Sequence, residues 1–404
     1  MKVFIGPMNI ASQPYYLARG LRKFGIDACS VAYGPGAFGY SADKAVDLPK
    51  FPIDRLGAFH KTLLEAVEED FDIYHFFQRP FYLSIPSSGH DGFLGFEIPL
   101  LKARGKRIAY RFTGWELIDR DLELANNPYS AFRHGWDGHF NRHMKKEYLE
   151  FLRCYCDAFM VVDPMMHEHC PEADIVPRVL RVDDFEEVGI EKRDVPMVLH
   201  APSNSTYKGS KFVLDALEQL KRDGVKFELK ILNRCPFVEA VEWYKRADII
   251  VDQLLIGWYG VLAMECMAMG KPVAVYMRED LANTPDEIPV HNINIDNIKE
   301  RLKLLIEDYS LRESLASRGR EYVTKTHDEN VVIPKLIEVY EKMQNSSVAN
   351  LNTNADLEFL HMQRVEYEKQ ALTIRKLKKQ LENENPISRK WEQIFTYFKR
   401  MRKA

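Results

Sequence analysis

Apolar residues in this chain gather in short unbroken runs rather than alternating with polar ones. Val3-Phe4-Ile5, residues 28–33, Ile73-Tyr74-His75-Phe76-Phe77 and residues 107–112 and 158–163 each read as a strand buried on both faces, as in a parallel sheet. Between them the spacing turns helical. Leu17, Leu21 and Phe24 share one face of a helix over residues 12–24, with Ser12 as cap, Pro14 in the first turn and Gly25 past its end. A second helix is predicted over residues 55–67. Strand, loop, helix, strand in this rhythm defines an α/β layer with a parallel sheet.

The rhythm restarts at residues 197–200 and continues with a helix whose inner face carries Phe212, Val213, Ala216, Leu217 and Leu220, then strands at 227–232 and 249–251. Residues 297–318 are amphipathic and helical, and a further helix starts at Thr326-His327-Asp328 and runs through Tyr340. Beyond it the pattern changes. Leu360, Tyr367, Ile374 and Leu381 recur every seven residues, with Leu377 on the same side and Gln363 and Gln370 in the second seam. This fits a short coiled coil over residues 354–385 that would join copies of the chain, or a single solvated helix. After Pro386, residues 386–404 place Trp391, Ile394, Phe395 and Phe398 on one face among Arg389, Lys390, Lys399, Arg400, Arg402 and Lys403. Such a basic amphipathic helix suits an anionic membrane surface or a docking site on protein.

A length of 404 residues accommodates two cored domains and an extension. The net charge of −3 argues against general nucleic-acid binding. With no membrane-length apolar run and no signal-peptide pattern in MKVFIGPMNI, the chain is expected in the cytosol, with the basic tail offering attachment at the inner membrane face. Six scattered cysteines form no disulfide framework, and Cys154, Cys156, His167, His169 and Cys170 lack the spacing of a common zinc finger or ribbon, so no metal is expected.

The chemistry concentrates in residues 248–275. The apolar run Ile249-Ile250-Val251 leads into a loop with Gly257 and Gly260, then into a Met- and Ala-rich helix that Gly270 stops. Glu265 stands alone as a carboxylate in that apolar helix, and the glycine loop offers main-chain N–H groups at the helix start. Together these suggest a site for a hydroxylated, phosphorylated ligand. In the first half His75, Arg111 and Glu116 fall near the carboxyl ends of strands, where open α/β sheets bind ligands. His75 also reads as a core histidine, and Arg111 with Glu116 as a surface ion pair. The Pro-, Ser- and Gly-rich loop over residues 79–95 is long enough to be functional. The aromatic, glycine-bearing stretch over residues 120–143 reads equally as an acceptor-side loop or an irregular excursion.

The run Gly260-Val261-Leu262-Ala263-Met264-Glu265-Cys266-Met267-Ala268-Met269-Gly270-Lys271-Pro272-Val273 resembles the donor-site segment of family-4 glycosyltransferases. The resemblance spans roughly residues 1–343 and implies a GT-B fold: two Rossmann-like domains facing a cleft, here with a C-terminal helical extension. It places an acceptor-side domain at residues 1–180, a nucleotide-sugar domain at 181–325 and a closing helix at 326–345. It implies that Glu265 holds the ribose hydroxyls and that Gly260, Val261 and Leu262 face the sugar and diphosphate. Lys208-Gly209 would supply the cation for the diphosphate beside Ser203, and Asn233 would lie near the base. The donor would be a nucleotide-diphosphate sugar, used with retention, without metal or cofactor. The acceptor would be a hydroxyl, as on a lipid-linked or polysaccharide precursor of the cell surface. Residues 111–115 offer no histidine where many members carry one near the donor sugar, and two further positions depart from the family: its first acid falls at Gly257, and a frequent arginine falls at Ser203. These departures keep open a non-catalytic GT-B-like assembly module, and a sugar-nucleotide epimerase of similar fold is a further alternative.

Overall fold

The computed structural model describes residues 1–34, 38–48, 52–81, 95, 97–137, 142–233, 235–281 and 288–345. The expected coiled coil at 354–385, the basic helix at 386–404 and most of the loop at 79–95 lie outside the described residues.

Seven strands make the first sheet: β1 (Lys2–Pro7), β2 (Asp27–Tyr33), β3 (Lys44–Val46), β4 (Ile73–Phe77), β5 (Arg107–Arg111), β6 (Ala158–Val161) and β7 (Asp174–Ile175). All pair in parallel, in the order β3-β2-β1-β4-β5-β6-β7. Helices α1 (Gln13–Lys23), α2 (Pro52–Glu68), α3 (Glu97–Ala103), α4 (Arg120–Asn126), α5 (Arg142–Tyr155) and α6 (Pro164–His167) accompany it. Every residue of β4 is buried, which is why its sequence shows no alternation. Ser12 does not cap α1 with its side chain. It adopts a left-handed backbone with φ 57°, and its hydroxyl instead accepts from the Ser41 amide at 2.9 Å.

The second sheet contains β8 (Met197–His200), β9 (Glu228–Ile231), β10 (Ile249–Val251), β11 (Val273–Val275) and β12 (His291–Asn292), all parallel, in the order β12-β11-β10-β8-β9. Around it lie α7 (Ser210–Arg222), α8 (Phe237–Arg246), α9 (Val261–Ala268), α10 (Ile298–Glu307) and α11 (Tyr309–His327). The last helix among the described residues, α12 (Glu329–Asn345), leaves the second sheet and packs Val332, Ile333, Leu336, Val339 and Tyr340 into one core with Val3, Ile5, Leu17 and Leu21 of the first domain. Where the chain crosses back, it meets its own outward crossing: the Leu180 amide donates to the His327 carbonyl at 2.8 Å, and the Glu329 amide to the Leu180 carbonyl at 3.0 Å. No helix among the described residues is long and apolar enough to cross a membrane.

Candidate active site

Each sheet reverses its winding at one place, between β1 and β4 in the first and between β8 and β10 in the second. At such a switch point neighbouring loops leave in opposite directions and open a crevice at the carboxyl ends of the strands. Both crevices border the same cavity, of about 510 Å³. Asn9, Ile10 and Ala11 enter it after β1, and Gln78 and Arg79 after β4. Ser203 and Lys208 enter after β8, and Gln253, Trp258, Tyr259, Gly260, Val261, Leu262 and Glu265 after β10.

On the second-domain wall, Lys208 is nearly buried, and its ammonium donates to Asp252 Oδ1 at 2.8 Å. Asp252 Oδ2 accepts from the Gly260 amide at 3.2 Å. Any side chain at Gly260 would crowd this corner, since a Cβ there would lie 3.3 Å from Asp252 Oδ2 and 3.6 Å from Lys208 Nζ. Gln253 braces the same loop by donating to the Trp258 carbonyl at 2.5 Å. Beneath it, the buried His200 ring bonds the Val251 carbonyl and the Ser210 hydroxyl, each at 2.8 Å, which ties β8, β10 and the start of α7 together. Burial keeps that imidazole below its usual pKa. Glu265 lies on α9, and among the described residues its carboxyl has no hydrogen-bond partner. Burial first, and the Asp252 charge second, push it up to about 8 against the opposing pull of Lys208. Tyr40 from the first domain and Tyr244 from α8 share the cavity. Burial and then the Glu265 charge raise both hydroxyls, Tyr40 to about 12.

The structure brings Ser203, Lys208, Gly260, Val261, Leu262 and Glu265 together on the cavity wall. Gly209 is set back as the left-handed cap residue of α7, and Asn233 is exposed outside the lining, where Leu232 and Cys235 stand instead. The three acceptor-side candidates of the first domain do not line the cavity. His75 is wholly buried and shares a 2.7 Å hydrogen bond with the Tyr340 hydroxyl of the closing helix, with burial holding its pKa far down. Arg111 points into the core, where it donates to the Val176 and Pro177 carbonyls at 2.8 and 2.9 Å. Burial lowers its guanidinium to about 9. Glu116 is not Arg111's partner. It accepts from the Thr113 and Gly114 amides at 2.5 and 3.1 Å and from Gln78 Nε2 at 3.1 Å, and so shapes a turn whose Thr113, Gly114 and Trp115 face the cavity.

The described part of residues 120–143 spans the cleft. Trp136 packs 5.0 Å and Trp115 5.8 Å from the Tyr207 ring, the Ala131 amide donates to the Leu255 carbonyl at 3.0 Å, and the Tyr129 hydroxyl donates to Asp296 at 2.6 Å. A second bridge passes over Gly257. The buried Arg278 donates to the two Glu168 oxygens at 2.6 and 3.1 Å, and a Cβ on Gly257 would come within 2.8 Å of its Cγ. The backbone there has φ +91°, so glycine answers both conformation and space. The Arg278 stem thus occupies the space that a side chain at position 257 would need. Among the described residues no three His, Cys, Asp or Glu side chains are grouped to hold a metal ion, and His169 instead accepts from the Asp119 amide at 3.1 Å.

No protein-family model matches the chain, and no curated protein sequence matches it significantly. In three dimensions the likenesses are extensive. Sucrose-phosphate synthase from Thermosynechococcus elongatus superposes with a TM-score of 0.61 at 11% identity, over 85% of this chain and 99% of that one. The Anabaena protein HepE, in complex with UDP and glucose, superposes with a TM-score of 0.57 at 11% identity, over 84% and 98%. The catalytic domain of starch synthase IV from Arabidopsis thaliana, bound to ADP and acarbose, gives 0.55 at 10% identity, over 84% and 98%. At such identities the likeness is one of fold, and the fold is GT-B, with two Rossmann-like domains about a cleft.

Proposed function

We propose that the protein transfers a sugar from a nucleotide-diphosphate sugar to a hydroxyl acceptor, with retention at the anomeric carbon. The observation that carries this reading is the convergence of Lys208 and Glu265 on one cavity at the switch point of the second sheet. The GT-B fold supports it, as do the UDP and ADP bound by the neighbours HepE and starch synthase IV. Glu265 would accept the ribose hydroxyls. Lys208 and the amides at the start of α9 would face the diphosphate, which gains charge as the glycosidic bond breaks. The departing phosphate oxygen would take the proton of the incoming hydroxyl on the same face, so the reading needs neither a side-chain base nor a metal. The first-domain wall, with Asn9, Gln78, Thr113 and Trp115, would receive the acceptor, for which a cell-surface glycan precursor is the proposed class.

A mass-spectrometric screen of UDP-, ADP- and GDP-sugars with hydroxyl acceptors tests the proposal. Transfer is expected with one donor, and Lys208→Ala and Glu265→Ala are each expected to lower it by about 100-fold or more. Normal rates in either variant would overturn the assigned roles. A non-catalytic nucleotide-binding module is the second reading, favoured by the Lys208–Asp252 ion pair, which neutralises the cation of the site. It predicts thermal stabilisation by a nucleotide sugar without turnover.

A further inference from the structure

We propose that Asp252 is the positioning residue of the diphosphate site, fixing both the Lys208 ammonium and the Gly260 turn in the arrangement that meets the donor; this role rests on the nucleotide-sugar reading above. Asp252 follows directly on β10, yet its side chain, with no exposed surface, reaches the loop after β8. One oxygen holds Lys208 Nζ at 2.8 Å, and the other holds the Gly260 amide at 3.2 Å. A single carboxylate therefore joins the two pieces of chain, 44 and 8 residues away, that would grip the diphosphate from two sides.

Lysine carries three N–H donors. One goes to Asp252, and among the described residues no other acceptor engages the ammonium, which borders the cavity. A lysine on a flexible stem must otherwise be ordered when the ligand arrives, and holding it beforehand removes that part of the cost of binding. In the two loops that Asp252 joins, residues 201–209 and 252–260, Lys208 is the one cation; Arg79 and Arg178 also border the cavity, but from the first domain, where Arg178 donates to Asp163 at 3.1 Å. The rival arrangement is competition, in which Asp252 occupies contacts that the diphosphate must take over. The two differ in sign. Positioning predicts that losing the carboxylate weakens diphosphate binding, whereas competition predicts that it strengthens it.

Calorimetric titration of Asp252→Asn and wild type decides between them, using UDP, ADP, GDP, CDP and dTDP beside their phosphate-free nucleosides. The diphosphate that binds wild type should bind Asp252→Asn about tenfold or more weaker, with its nucleoside within about twofold. A purely architectural role for Asp252 would weaken both alike and overturn the assignment. Unchanged or tighter diphosphate binding would overturn it too. Should Asp252→Asn fail to fold, Asp252→Glu keeps both charges and shifts the carboxylate by one methylene, away from its place between the Lys208 ammonium and the Gly260 amide. Diphosphate binding should again fall while nucleoside binding holds; unchanged or tighter diphosphate binding rejects the role. Wild type that binds none of the five diphosphates would instead reject the nucleotide-sugar reading itself, and this assignment with it.

Discussion

Glu265 is a weak acid kept neutral by its surroundings over much of the physiological range, and this has a measurable consequence. In the unfolded chain a glutamate releases its proton near pH 4.5, whereas in the folded protein Glu265 holds it until about pH 8. Between those values the folded state binds the extra proton, so raising the pH favours unfolding. Stability from this group is fully present below about pH 4.5 and fades as pH rises towards 8. Compared with Glu265→Gln, wild type should lose stability between pH 5 and 8 with an added slope no steeper than about 1.4 kcal/mol per pH unit, measurable by urea denaturation. Glu265 could be singled out in the sequence because nothing polar surrounds it in its helix. Asp252 belongs to no motif and was missed from sequence alone. The signal that could have found it is its position immediately after an apolar strand run, where the carboxyl end of a strand opens onto a crevice.

The loops after β8 and β10 act as one element, since the Lys208 carbonyl accepts from the Leu254 amide at 3.1 Å and the two loops share the Asp252 carboxylate. Their shape explains why introducing an acid at Gly257, as the resemblance in sequence would suggest, should fail. Gly257→Glu would place a side chain at φ +91° against the Arg278 stem, so it should cost about 1–3 kcal/mol and add no transfer activity. Thermal unfolding and initial rates check both parts. The strands were readable from their unbroken apolar runs, but those runs do not tell which residues near their ends turn outward. His75 lies inside β4 and Arg111 closes β5 facing the core, while the cavity receives the residues just beyond, Gln78 and Arg79 after β4 and Thr113 to Trp115 after β5. Paired contacts distant in sequence, such as Arg111 with the carbonyls of Val176 and Pro177, leave no trace in local pattern.

At the scale of the whole molecule, two domains are joined by two crossings, by aromatic contacts and by the Arg278–Glu168 bridge. The repeated α/β rhythm made the two-domain plan evident, and the family-like segment pointed to the cleft; the interdomain contacts came only with coordinates, because they join residues about 70 or more positions apart. The closing helix is energetically part of the first domain. Leu336 is wholly buried against it, so Leu336→Ala should destabilise the protein by about 2–5 kcal/mol in denaturant titrations. The return of α12 has a further consequence for how this polypeptide can be divided. Severed after Leu180, the leading fragment would keep an oily flank with nothing to cover it, while the trailing fragment would bear a helix without a berth. Halves produced separately should therefore be poorly soluble alone and recover only when mixed, so a gene encoding the first lobe by itself would have to borrow that helix from elsewhere.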